Sequence, residues 1–61
     1  MIGNRVRVIR TNGPAVEGVL HHLDAAGAIV DRAFAQLPEA RGKLFLPLPH
    51  IVEIVDLGRA P

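Results

Sequence analysis

The sequence predicts an all-β domain of five short strands, a small barrel or sandwich. Three observations carry this prediction. "NRVRVIR" (Asn4–Arg10) alternates charged and β-branched residues, the period of two of a half-buried strand. Turn chemistry recurs at short intervals: "TNGP" at Thr11–Pro14, "DAAG" at Asp24–Gly27, and prolines at 47 and 49. No window of about eleven residues keeps the 3.6-residue period of an amphipathic helix.

The elements follow in order. In strand one, Val6 and Val8 face inward while Arg5 and Arg7 face out. Asn12-Gly13 is the strongest short hairpin signal in the chain. Strand two is predicted over Ala15–Leu23, with Gly18 in its middle. A glycine inside a strand marks a sharp bend or the close approach of another backbone, which lets one long strand serve both halves of a barrel. Asp24 then opens a turn, where its carboxylate can accept backbone N–H groups and Gly27 can take a positive φ. Strand three is predicted over Ala28–Phe34, followed by a loop at Ala35–Gly42 whose composition permits one helical turn. Strand four is Lys43–Leu48, strand five is Ile51–Leu57, and residues 57–61 close the single domain as a loose tail.

Strands four and five raise a problem of cover. "LFLPLPHIVEIV" (Leu44–Val55) has ten apolar residues in twelve, with only His50 and Glu53 polar. Alternation puts Leu44, Leu46 and Leu48 on one face and Phe45 on the other. It likewise sets Ile51 and Val55 against Val52 and Ile54. A strand apolar on both faces is covered on both, and no helix is predicted to do this. The expected cover is another copy, paired along these strands through Leu44, Phe45, Leu46, Ile51, Val52 and Ile54. Pro47 and Pro49 are compatible with strand ends and force a corner between the two strands.

Size points the same way. A chain of 61 residues buries only about 60% of the surface its unfolded form exposes, and without cysteine it has no disulfide and no thiolate ligand or nucleophile. Apolar content is 49% and mean hydropathy +0.28, yet aromatics amount to two Phe, with no Trp or Tyr. Aliphatic side chains therefore form the core, and oligomerisation supplies the missing stability. No apolar run approaches the roughly 20 residues of a membrane span, and "MIGNRVRVIR" lacks the apolar core of a signal peptide. The expected location is the cytoplasm, away from any membrane.

The order of motifs resembles the Sm-like (LSm) family, which includes bacterial Hfq. "GNRVRV" (Gly3–Val8), "GPAVEGVL" (Gly13–Leu20) and Asp24 match that family's first motif in type and spacing, and Ile51 and Ile54 match the end of its second. The resemblance covers about 50 residues, Gly3 to Leu57. It implies a strongly bent, five-stranded SH3-like barrel that assembles through strands four and five into a homo-oligomeric ring of about five to eight copies. It also implies RNA binding, but the family's base pocket does not carry over. Its stacking aromatic and the Asn two residues later fall on Ala26 and Ala28, and its Arg-Gly pair falls on Pro47-Leu48.

The residues themselves narrow the chemistry. There is no Ser, and the single Thr, Thr11, lies in a turn, so a hydroxyl nucleophile has almost no candidate. No glycine-rich phosphate loop is present. His21 and His22 are adjacent on a strand and point to opposite faces, so they do not share a metal. The expectation is a protein that is not an enzyme and holds neither metal nor cofactor. Net charge is only +1, but Arg5, Arg7 and Arg10 precede the first acid, Glu17, and six of seven basic residues are Arg. With Lys43 they form the candidate surface for RNA or another single-stranded nucleic acid, with Phe34 and Phe45 the only stacking groups available. The alternative is an oligomeric scaffold that recognises a protein partner through strand edges or apolar faces.

Overall fold

The computed structural model describes residues 1–59. Five antiparallel strands form one sheet in the order β4-β3-β2-β1-β5, and there is no α-helix among the described residues. The strands are β1 (Asn4–Arg10), β2 (Val16–Asp24), β3 (Gly27–Asp31), β4 (Lys43–Pro47) and β5 (Ile51–Arg59). Two single 3₁₀ turns, Pro38–Ala40 and Leu48–His50, lie before and after β4. The sheet is open: β4 and β5 are its two edges and do not pair with each other.

An open sheet without helices still has to bury one face. Val6, Val8, Leu20, Ala28 and Val30 are completely buried, with Val16 and Leu46 nearly so. A flat single layer cannot do this, so the sheet curls over its own inner face. The shortest extent of the molecule is 15 Å. Gly18 shows where β2 gives way. It pairs with Val6 on the inner face, and a Cβ there would collide with the Asp31 carbonyl and lie 2.7 Å from Val30 Cγ1. Only glycine lets the end of β3 cross that close. The core that results is wholly aliphatic.

Bulges set the rest of the register. On β2 the pairing skips His21 between Leu20↔Val30 and His22↔Ile29. On β5 it skips Val52 between Glu53↔Ile9 and Ile51↔Arg10. Strict alternation separates Ile51 from Ile54; the extra residue changes the phase, and both pack against the core with Leu44. Val52 is instead left exposed.

β2 and the start of β3 are displaced by one residue from the expected Ala15–Leu23 and Ala28, and three further boundaries differ for identifiable reasons. β3 stops at Asp31 rather than Phe34, because the Arg32 N–H donates to Gly42 O (2.9 Å) and closes the loop there. The Ala35 N–H returns to Arg32 O, so Phe34 leaves the sheet. Leu48 belongs to the corner turn rather than to β4, and its N–H donates to Ala26 O (3.0 Å), tying that corner to the β2–β3 turn. The expected loose tail is the third correction: Leu57, Gly58 and Arg59 continue β5. Gly58 takes φ +99°, which accommodates a bulge opposite β1. Asp56 fastens it, accepting the Gly58 N–H (2.8 Å) and both contacts of the Asn4 side-chain amide (3.0 and 3.1 Å). Residues 60 and 61 of that expected tail lie outside the described residues.

Candidate functional site

The outer face of the sheet can be followed row by row. Arg5, Val19, Asp31 and Lys43 stand directly opposite one another across β1, β2, β3 and β4. On one side of this row lie Val55, Arg7 and Glu17; on the other lie His22, Ile29 and Phe45. The described surface holds no pocket, so any ligand here meets a face or an edge.

The four predicted cations separate. Arg7 reaches Glu17 across the strands, its Nη2 3.1 Å from Oε2, in an exposed ion pair. Arg10 alternates with Val8 and so lies on the opposite face from Arg5 and Arg7. Its Nε donates to Pro14 O (2.8 Å), and its guanidinium lies over Gly13, folding onto the β1–β2 turn. Arg5 and Lys43 have no carboxylate partner among the described residues. Arg5 instead lies over the ring of Phe34, 4.9 Å from its centroid.

Two arginines that the sequence reading passed over bond to the backbone of the loop that carries that ring. Arg32 and Arg41 flank the loop that carries Phe34. Each commits its Nε to a loop carbonyl, Arg32 to Gly42 O (3.4 Å) and Arg41 to Ala35 O (2.8 Å). Neither forms an ion pair among the described residues. In the sequence Arg32 falls within the expected third strand and Arg41 within the loop after it, and nothing there sets them together.

The six residues assigned to assembly also divide. Leu46 is part of the buried core, and Leu44, Ile51 and Ile54 pack on it. Phe45 and Val52, at 52% and 63% exposure, remain open on the two edge strands.

Asp24 orders the β2–β3 turn. Its Oδ1 accepts the N–H groups of Ala26 (2.8 Å) and Gly27 (3.3 Å), and its Oδ2 meets His22 Nε2 at 2.8 Å. The His22 contact first, then the Ala26 N–H, hold its carboxyl below the ordinary value of 3.8. His21 makes no part of this pair, and His50 lies at the other corner, its Nδ1 3.5 Å from Thr11 Oγ1. Among the described residues no three metal-ligating side chains gather, and no helix is long and apolar enough to cross a membrane.

Comparison with protein-family models, curated proteins and solved structures returns no match. The functional reading therefore rests on the geometry and on the motif resemblance.

Proposed function

We propose that the chain is a non-enzymatic, ring-forming protein of the Sm-like kind that binds RNA or another single-stranded nucleic acid through cationic surface. In this reading the curled sheet is a strongly bent SH3-like barrel, working in the cytoplasm without metal or cofactor. The observation that carries it is the strand order, in which β4 and β5, which hold most of the apolar run Leu44–Val55, are the two free edges. A free edge offers unpaired N–H and C=O groups to another chain. Pairing β4 of one copy with β5 of the next is a heterologous contact, which closes into a ring when the rotation per step divides a full turn. Phe45 and Val52, exposed on those edges, would be covered in the same step. A ring of about five to eight copies repeats Arg5 and Lys43 around one surface, and repeated phosphate contacts give salt-sensitive affinity without a base pocket.

A specific observation favours the second reading, an oligomeric scaffold that binds no nucleic acid. Arg7 and Arg10 are already engaged by Glu17 and Pro14 within the chain. Native mass spectrometry with and without a short unstructured RNA, at low and moderate salt, decides between the two. The expected result is a closed ring that takes up RNA and releases it as salt rises. A ring that takes up none supports the scaffold, and a clean monomer overturns both.

A further inference from the structure

We infer that the β3–β4 loop, with Phe34 beneath Arg5, is a stacking site for an unpaired nucleobase, and that Arg32, Arg41 and Lys43 take the adjoining phosphates. This rests on the nucleic-acid reading above and moves its centre away from the strand-one arginines. The first support is where the rings lie. The core is made of Val, Leu and Ala alone, although aromatic side chains are ordinarily the largest contributors to core burial. Both phenyl rings of the chain stand outside it, Phe34 at 42% and Phe45 at 52% exposure. A folded chain this short of apolar bulk, with both rings left outside, leaves them available for a planar ligand.

Phe34 is the better placed of the two. Phe45 stands on an edge strand that assembly would use, whereas Phe34 rides on a loop built to hold its position. The Arg32 N–H to Gly42 O bond closes the loop's neck, and Ala40 N–H to Leu37 O (2.9 Å) fixes its 3₁₀ turn. The Arg41 Nε bond to Ala35 O then pins the far side of the loop beside Phe34. Arg5 closes against one part of the ring at 4.9 Å and leaves two fifths of the residue's surface open.

The second support is charge. Arg5, Arg32, Arg41 and Lys43 gather around this loop against Asp31 and Glu39, and none of the four cations has an ion-pair partner among the described residues. Because Arg32 and Arg41 bond the loop through Nε, their Nη groups remain for a ligand. Guanidinium forks match phosphate oxygens in a bidentate manner, and every base has a π-face that a phenyl ring can meet. An acidic peptide would answer the charge and leave the ring without its match. A duplex would answer the charge and keep its bases stacked within itself. Single-stranded nucleic acid satisfies both.

The test is fluorescence anisotropy of a short labelled oligouridine titrated with the full chain and its variants. Phe34→Ala is expected to weaken binding about fivefold or more, while Phe34→Tyr retains wild-type affinity. Arg41→Gln is expected to reduce the salt slope by about 0.7, the share of one single-strand phosphate contact. Circular dichroism and native mass accompany each variant. If Phe34→Ala misfolds, Phe34→Leu, which keeps apolar bulk without a ring face, gives the same reading. Wild-type affinity in the Phe34 variants overturns the stacking site while leaving the nucleic-acid reading in place. Failure of the wild-type chain to bind at low salt overturns both. Equal affinity for polyglutamate, or for the same sequence as a duplex, overturns the assignment of an unpaired base.

Discussion

Asp24 on β2 and Asp56 on β5 do the same work: each carboxylate accepts a backbone N–H two residues on and one side chain. Both carboxyls are held below their ordinary value, Asp24 by His22 and then Ala26, Asp56 by the Gly58 N–H and then Asn4. A depressed folded-state value means that the unfolded chain takes up the proton first as pH falls. The stability these groups contribute is present above about pH 4 and is lost as pH drops through their folded values. Thermal midpoints measured across the acid range are expected to fall below that point, and to fall less in an Asp24→Asn, Asp56→Asn double variant. A double variant with the wild-type slope contradicts the assignment. Of these two residues only Asp24 was legible in the sequence, because a turn Asp binds amides within its own hairpin. Asp56 reads as one more strand carboxylate until Asn4, far away in the chain, is brought beside it. The arginines are a similar case, since neither the Glu17 partner of Arg7 nor the ring beneath Arg5 can be read from strand periodicity.

At the scale of the element, β5 carries the main lesson. Its apolar residues were legible as a set, but not which of them faces inward. One bulge at Val52 packs both Ile51 and Ile54 against the core and leaves Val52 at the surface. Substitutions that look alike in the sequence therefore differ in kind. Ile54→Asp places a charge against Val8 in the core and is expected to destabilise the fold by several kcal/mol. Phe45→Asp and Val52→Asp add a charge to exposed positions on the two edges, and are expected to give folded monomers with thermal midpoints near that of dissociated wild type. Native mass together with thermal melting separates these outcomes. Full oligomer mass in both edge variants contradicts assembly through β4 and β5.

For the molecule as a whole, the decisive quantity is how little is buried. Seven aliphatic residues make up the core among the described residues, and a domain of this length has a net stability of roughly 3–9 kcal/mol. If assembly covers Phe45 and Val52, association adds to that figure by mass action, and the thermal midpoint is expected to rise with protein concentration. A midpoint unchanged over a hundredfold dilution, roughly, points to a chain stable by itself. The sequence by itself determined the β class, the number of strands, the turns at Thr11–Pro14 and Asp24–Gly27, and the inward faces of Val6 and Val8. All of these follow from residues within a few positions of one another, through side-chain alternation and turn chemistry. Tertiary structure alone decided the linear strand order, the phase of β5, the extension of β5 through Gly58 and Arg59, and the setting of Phe34 beneath Arg5 on the loop that Arg32 and Arg41 bond. Those depend on register between segments distant in the chain, such as the Asn4–Asp56 contact that spans 52 positions. A single skipped residue in one strand changes which side chains meet, and no local pattern announces where the skip will fall.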